Sequence, residues 1–147
     1  MRALVQRVNS ASVNVDGQCV GSIGRGLLVF LGVGREDEES LIPILGKKIS
    51  EMRIFEDGCG KLNLSLLDLK ADILIVSQFT LYANCSRGRR PDFTQAADPD
   101  KARELYLKMI EYFSSLGLNT QTGIFAADMK VSLVNDGPVT FFLEYKL

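Results

Sequence analysis

Near its carboxyl end the chain reads Lys130-Val-Ser-Leu-Val-Asn-Asp-Gly-Pro-Val-Thr-Phe-Phe-Leu-Glu-Tyr145. β-Branched and aromatic residues alternate with polar ones, which predicts a strand on each side of the Gly137-Pro138 pair. Proline has no N–H for a strand ladder, so it belongs at a sheet edge, a bulge or a turn. The preceding Asn135 and Asp136 are ordinary turn residues. Two interpretations follow, a hairpin turn and a rigid backbone element that faces a ligand, and the local residues favour the turn.

Length and composition are those of an ordinary globular protein. The 147 residues are 46% hydrophobic and 24% charged, which predicts a single domain over residues 1–147. Residues 1–8 lack the apolar region of a signal peptide, and no apolar run approaches the roughly 20 residues of a membrane helix. The three cysteines, Cys19, Cys59 and Cys85, are widely spaced and form no CxxC pair. We therefore expect a cytoplasmic protein that has neither a disulfide nor a zinc framework.

The chain contains no histidine. This excludes a Ser-His or Cys-His dyad, a histidine-ligated metal and an imidazole general base. Any catalysis must therefore use carboxylates, lysines, hydroxyl groups, backbone amides or the substrate itself. We expect neither a metal nor a cofactor.

Hydrophobic patterning predicts short strands and two covering helices. The strands are expected at residues 2–8, 11–15, 18–23, 27–33 and 71–79, and on both sides of the Gly-Pro pair. One helix is expected to begin near Ser40, and the other to have Asp98 as its N-cap, Pro99 in its first turn and Gly117 at its end. The pattern predicts an α+β fold with a mostly antiparallel sheet, either a sandwich or a partly open barrel.

Two further segments are candidates for function. Ser77-Gln-Phe-Thr-Leu-Tyr82 ends a buried strand, and its hydroxyls, amide and backbone N–H groups are donors that suit an ester carbonyl or an oxyanion. Taken alone, such residues more often bond neighbouring strands. Arg87, Arg89 and Arg90 form a basic cluster on a chain of net charge −1. Arginine suits phosphate oxygens, although such a loop is more often a solvated surface.

Together these motifs resemble those of one family, the D-aminoacyl-tRNA deacylases of the D-Tyr-tRNA(Tyr) deacylase type. The resemblance rests on the segment at 77–82, on Gly88-Arg-Arg-Pro91 and on Asn135-Asp-Gly-Pro-Val-Thr140. Residues 1–8 and Gly123-Ile-Phe-Ala-Ala-Asp-Met-Lys130 also match, so the likeness covers essentially the whole chain. The chain departs from the family's pattern at Ala126, where a glycine is usual, and this narrows the space next to Phe125.

The resemblance implies a homodimer that hydrolyses the ester between a D-amino acid and the 3′ end of tRNA, a proofreading step of translation. It also implies a cis Gly137-Pro138 peptide that reaches into the partner's active site and excludes L side chains, with Arg7 fixing this element. Since glycine has no side chain to exclude, glycyl-tRNA is an expected substrate. The remaining implied substrate-site residues are Ser77, Gln78, Phe79, Thr80, Phe125 and Met129, the last two near the terminal adenosine.

The implied chemistry agrees with a site that has no histidine. An aminoacyl ester is already reactive, so positioning and an oxyanion hole suffice. The backbone amides of Phe79 and Thr80 are the expected catalytic donors, and the vicinal ribose hydroxyl of the tRNA is expected to help orient water. Thr80 is not expected to be a nucleophile, because nothing in the sequence supplies a base to activate it.

Two other classes of function remain open at this point. A non-catalytic nucleic-acid-binding module would use the three arginines, which are expected to contact tRNA phosphates in the deacylase interpretation. A metabolic hydrolase would cleave small D-amino acid esters as fast as the tRNA-linked ones.

Overall fold

A six-stranded mixed sheet, nearly closed on itself, is the centre of the structure, a computed structural model that describes residues 1–146. The strands are β1 (Arg2–Val15), β2 (Gln18–Ile23), β3 (Gly26–Gly32), β4 (Phe55–Glu56), β5 (Leu62–Leu64), β6 (Asp72–Ser77), β7 (Thr120–Thr122) and β8 (Lys130–Glu144). The helices are α1 (Leu41–Glu51), α2 (Leu66–Leu69) and α3 (Pro99–Ser115), with a 3₁₀ turn at Phe79–Tyr82. The predicted α+β fold is confirmed.

The strand order places β3, β6 and β7 side by side and parallel. β1 pairs in antiparallel fashion with β2, β3 and β8, and β4 and β5 form a separate two-stranded sheet. Parallel neighbours need a crossover connection. α1 lies within the connection from β3 to β6, and α3 lies in the connection from β6 to β7.

The central strands are buried on both faces, which explains their continuous apolar runs. On β3, the side chains of Leu27, Val29 and Leu31 enter the core beneath the helices. Leu28 points to the other face, into a second core inside the curled sheet. Residues 73–76 of β6 alternate between the two cores in the same way. The sheet therefore separates a helix-covered core from a barrel interior.

The Gly-Pro pair does not form a hairpin turn, so that prediction is wrong. β8 continues through it, and both halves of β8 pair with β1, with Thr140 opposite Gln6 and Asn135 opposite Val8. Residues 136–139 bulge out between these two pairs, opposite a single residue of β1. Proline is accommodated because a bulge needs no ladder bond from it. Because residues before and after the bulge pair with the same strand, β1, the chain keeps its direction and cannot form a hairpin here.

The Asn135 side chain replaces ladder bonds that the bulge lacks. Its Oδ1 accepts a hydrogen bond from the N–H of Val139 at 2.8 Å, and its Nδ2 donates to Thr140 Oγ1 at 3.0 Å. A single amide side chain therefore spans the bulged segment, residues 136–139. Asn135, a residue type that favours turns, therefore stabilises a bulge in this structure.

The two main helices begin where the sequence predicts. The Asp98 carboxylate accepts a hydrogen bond from the Lys101 N–H at 3.0 Å at the start of α3, and Pro99 is the first residue of that helix. α1 begins at Leu41, next to the predicted Ser40. The short α2 and β7 were not predicted. α2 carries a capping box between Ser65 and Asp68, a signature that the sequence displays.

No helix within residues 1–146 is long and apolar enough to cross a membrane. The cytoplasmic location stays a prediction.

Candidate active site

A cavity of about 840 Å³ lies at the carboxyl edge of the three parallel strands. The segments that leave β3, β6 and β7 all contribute lining residues, and the first turn of α3 closes one side. Carboxyl ends of parallel strands are where open α/β sheets bind ligands. The volume lies within the range of about 300–1,000 Å³ that is usual for small-molecule sites.

The structure brings together most of the predicted substrate-site residues. The cavity is lined by Ser77, Gln78 and Phe79 from the end of β6, and by Phe125 and Met129 from the segment after β7. Their sequence separation is close to fifty residues, and the parallel pairing of β6 with β7 brings them to one edge.

Thr80 lies beside the cavity and does not line it. Its Oγ1 accepts a hydrogen bond from the Gln78 side-chain amide. No carboxylate or amine of the described residues contacts the hydroxyl, so the geometry offers no base to activate it. The contact instead orients the amide of Gln78.

The 3₁₀ turn leaves two backbone donors free next to the cavity. The Gln78 N–H donates to Leu31 O at 2.8 Å, and the Leu81 N–H donates to Gln78 O at 3.2 Å. The N–H groups of Phe79 and Thr80 lie between these two bonded groups, and within residues 1–146 neither has an acceptor. Two consecutive unpaired N–H groups are suited to binding a carbonyl oxygen or an oxyanion.

An aromatic pair stands at the cavity and includes one residue that sequence reasoning missed. The ring of Phe79 is 54% exposed and lies 5.0 Å, centroid to centroid, from the ring of Phe93, which also lines the cavity. Asn84 and Asp92 exchange backbone hydrogen bonds of 2.7 and 3.0 Å, which close the loop before Phe93. Phe93 stands in no periodic pattern, so nothing in the sequence singled it out.

A buried tyrosine positions Phe125. The ring of Tyr106 lies 5.9 Å from that of Phe125, and its hydroxyl donates to Ile75 O at 2.9 Å. Burial raises the pKa of Tyr106 to about 12, so the hydroxyl stays protonated and remains a donor. Ile75 belongs to β6, so Phe125 is held against the same strand that carries Ser77.

The predicted arginines lie outside the cavity lining. Arg87, Arg89 and Arg90 are all exposed, in the loop that Asn84 and Asp92 close. Since the loop leads directly into Phe93, it lies near the cavity. The placement suits contact with a large ligand that extends beyond the cavity.

The backbone of the Gly-Pro element is bound by Arg7, the residue that the family resemblance implied for this role. Arg7 is 4% exposed, and its guanidinium donates to Asp136 O at 2.9 Å and to Ile54 O at 2.8 Å. The Gly137–Pro138 peptide is cis, as expected. Arg7 therefore binds the backbone immediately before this peptide.

Within one chain, the Gly-Pro element lies away from the cavity. Gly137 and Pro138 do not line it. Arg7 pairs with Leu27 near the start of β3, whereas Ser77 pairs with Leu31 near its end. These positions are separated by roughly 13 Å along the strand at about 3.3 Å per residue. The structure of the single chain does not bring the element together with Ser77.

The cavity carries few charges. Among the described lining residues, Arg35 is the one cationic side chain and Asp98 the one acidic side chain. The Asp98 carboxylate is already engaged in capping α3. Residues 1–146 contain no cluster of three or more metal-ligating side chains.

The comparisons with known proteins agree on one family. A protein-family model described as D-Tyr-tRNA(Tyr) deacylase matches residues 4–144. The chain is 57% identical to a D-aminoacyl-tRNA deacylase of Geotalea uraniireducens over 144 residues, which are 98% of this chain and 93% of that protein. It is 56% identical to the protein of that name from Thermosipho melanesiensis over 147 residues, with 99% and 98% covered.

Solved structures give the same fold. One, named "c-Myc DNA Unwinding Element Binding Protein", is 40% identical, has a TM-score of 0.94 and covers 100% of both chains. Another, described as a probable eukaryotic D-amino acid tRNA deacylase, is 18% identical, with a TM-score of 0.83 and 97% of both chains covered. The second likeness concerns the fold alone.

Ala126 is expected to be strained, and replacing it with glycine should stabilise the protein. Its φ is 63°, a left-handed conformation that costs an L-residue roughly 1–2 kcal/mol. Ala126→Gly removes this cost, but the greater conformational entropy of glycine stabilises the unfolded state by roughly 0.4–1 kcal/mol. We expect the free energy of unfolding in urea to rise by about 0.5–1 kcal/mol. The matched change Ala127→Gly, at a neighbour without positive φ, should lower it. A lower stability of Ala126→Gly would contradict the strain.

Proposed function

Because the chain belongs to the D-Tyr-tRNA(Tyr) deacylase family, we infer that it is an ester hydrolase that acts on D-aminoacyl-tRNA and proofreads translation. Residues 1–147 then form one deacylase domain. The observation that carries this function is the identity of more than half of the residues to D-aminoacyl-tRNA deacylases over nearly the whole chain. The cavity adds a site of suitable size, lined by residues from the family-matching segments.

Backbone N–H groups stabilise the reaction's developing charge. The ester carbonyl lies at the end of β6, where the unpaired N–H groups of Phe79 and Thr80 donate to its oxygen. Water attacks the carbonyl carbon and forms a tetrahedral intermediate, whose oxyanion these donors stabilise. The intermediate collapses, the 3′ oxygen of the tRNA leaves with the proton that the attacking water gives up, and free D-amino acid and tRNA are released. Gln78, oriented by Thr80, positions the ester.

The substrate supplies the group that orients the attacking water. No histidine exists in the chain, and the Asp98 carboxylate is engaged by the Lys101 N–H. The vicinal ribose hydroxyl of the tRNA lies next to the ester in every aminoacyl-tRNA. It accepts a hydrogen bond from the water and orients it toward the carbonyl carbon, which is worth more than strong basicity for a reactive ester.

The Gly-Pro element acts across a homodimer. Its distance from the cavity of its own chain supports action in the cavity of another. β8 pairs with β1 on one side only, and Val134 and Phe142 on this strand are 54% and 53% exposed. A long, partly apolar free edge is a template for pairing with another chain. We therefore place the dimer contact on the side of β8, with each element in the partner's cavity.

Selectivity follows from steric exclusion by this element. A backbone held by Arg7 and Asn135 occupies the space that an L side chain would need. A D side chain projects elsewhere and is accepted. The three arginines of the neighbouring loop bind tRNA phosphates outside the cavity.

A non-catalytic nucleic-acid-binding function is the second candidate. It is favoured by the exposed arginine loop and by one structural relative, whose name describes binding to a DNA unwinding element. It requires no cavity and no free N–H groups.

The first experiment compares D-tyrosyl-, L-tyrosyl- and glycyl-tRNA as substrates of the purified protein. We expect fast release of D-tyrosine, little release of L-tyrosine, and release of glycine, because exclusion of a side chain does not act on glycine. Equal rates on both tyrosyl enantiomers would contradict chiral proofreading, and intact glycyl-tRNA would contradict steric exclusion. Binding of tRNA without hydrolysis of any ester would favour the second candidate.

The backbone donor is tested by a matched pair of variants at one position. Phe79→Pro and Phe79→Ala both lose the ring, but only Phe79→Pro also loses the N–H. Phe79 is the first residue of its turn, where proline is tolerated. We expect kcat for D-tyrosyl-tRNA to be about 10²–10³-fold lower in Phe79→Pro than in Phe79→Ala. Equal kcat values in two folded variants would exclude this N–H from the oxyanion hole.

The shared site is tested with mixed dimers. Asn135→Ala removes the side chain that spans the bulge, so its homodimer should hydrolyse L-tyrosyl-tRNA. A mixed dimer of one Asn135→Ala chain and one Phe79→Pro chain can be isolated by two different tags. Its intact cavity belongs to the Asn135→Ala chain and would face the intact Gly-Pro element of the Phe79→Pro chain. We expect this mixed dimer to reject L-tyrosyl-tRNA as the unmodified protein does. Hydrolysis of L-tyrosyl-tRNA at half the rate of the Asn135→Ala homodimer would place the element in its own chain's cavity, and a monomeric protein would overturn the shared site.

A further inference from the structure

Arg35 is the one cation among the described residues that line the cavity, and its side chain is exposed. We propose that Arg35 binds the 5′-phosphate of the terminal nucleotide of the aminoacyl-tRNA. The proposal rests on the function inferred above and adds a substrate contact to it. Guanidinium groups bind phosphate oxygens through two parallel, charge-assisted hydrogen bonds.

The backbone of Arg35 is held in place from three directions. Its N–H donates to Gln95 O at 2.9 Å, and its carbonyl accepts from Lys101 Nζ at 2.7 Å. The preceding Gly34 N–H donates at 2.6 Å to Asp37 Oδ2. The guanidinium, by contrast, forms neither an ion pair nor a hydrogen bond with any residue that the structure describes. A residue with a fixed backbone and an unpaired guanidinium is suited to binding an anionic ligand.

Neighbouring acids among the described residues form no ion pair with this guanidinium, and two of them are engaged elsewhere. Asp98 caps α3. The buried Asp37 carboxylate binds the Met1 ammonium at 2.7 Å and accepts from the Tyr82 hydroxyl at 3.1 Å. Glu36 is exposed to solvent and lines the second, smaller cavity but not the one that holds Ser77. The Lys101 ammonium group, bound to the carbonyl of Arg35, adds a second positive charge nearby.

Arg35 also marks where the substrate leaves the cavity. It lines both the large cavity and a second one of about 440 Å³. The second cavity has Lys146 as its other cation and Glu36 and Asp37 as its acids, of which Asp37 is paired with the Met1 ammonium. Along the 3′ end of an aminoacyl-tRNA, the order is amino acid, terminal ribose, phosphate and next nucleotide. With the ester at Ser77–Phe79 in the large cavity, the strand passes Arg35 on its way to the second one. A phosphate is the group that reaches this boundary.

The other end of the substrate does not suit Arg35. The amino acid of an aminoacyl ester has no free α-carboxylate, and its α-amino group is positively charged below its pKa. A guanidinium would repel it. The phosphate is therefore the part of the substrate whose charge Arg35 complements.

The test uses two small esters that differ by one phosphate. They are adenosine and adenosine 5′-monophosphate, each carrying D-tyrosine on the 3′ hydroxyl. For Arg35→Gln we expect kcat/KM on the monophosphate ester to fall about tenfold, through KM, as for loss of a charge-assisted hydrogen bond. The adenosine ester should be hydrolysed as by the unmodified protein. Arg35→Lys should restore part of the loss, because it keeps the charge without the planar group.

Arg103→Gln is the matched control, since Arg103 is exposed on α3 and lines neither cavity. It should leave both esters unaffected. Equal losses on both esters in Arg35→Gln would show a structural role, and no loss on either would show no role, so either result overturns the proposal. These outcomes are separate from failure of the proposed function, in which the unmodified protein would hydrolyse D-tyrosyl-tRNA no faster than L-tyrosyl-tRNA.

Discussion

Parallel pairing of β3 with β6, and of β6 with β7, is the constraint on which the site depends. It brings the ends of three strands to one edge of the sheet, so the segments that follow them share a cavity. An antiparallel neighbour would send its following segment to the opposite edge. The pairing is stable because both faces of these strands are covered, one by α1 and α3 and the other by the curled sheet. Burial of the strands and assembly of the site thus have the same cause.

The chemistry of the site follows from what that edge supplies. A chain without histidine has few strong bases at neutral pH, and the one acidic group lining the cavity among the described residues caps a helix. Backbone N–H groups at the start of the 3₁₀ turn are what remains, and they suit a reaction whose difficulty lies in charge development. In the proposed function, the substrate's own hydroxyl and phosphate complete the site. The proposed exclusion by the Gly-Pro backbone would also suit a proofreading enzyme, because it depends on the configuration of the α-carbon and not on the identity of the side chain.

Sequence reasoning predicted the cavity-lining residues that lie in recognisable segments and missed those that only the fold brings to the cavity. Ser77 stood out because polar residues followed a buried strand. Arg35 carries the same signal after β3, but its relevance depends on the parallel pairing that places it at the same cavity as Ser77. Phe93 carries no pattern at all. Its contact with Phe79 depends on the backbone bonds between Asn84 and Asp92 that close the arginine loop.

The Gly-Pro segment shows which features depend on local sequence and which depend on contacts between distant residues. Composition and alternation established strands, helix starts and the absence of imidazole chemistry, because these depend on near neighbours and on residue type. The conformation at Gly137 depended on β1, which pairs with residues on both sides of it and leaves a bulge in place of a turn. The ladder of strand pairs with β1 on both sides of the segment outweighs the local preference of these residues for a turn. That ladder joins residues more than a hundred positions apart, so only the tertiary structure decided it.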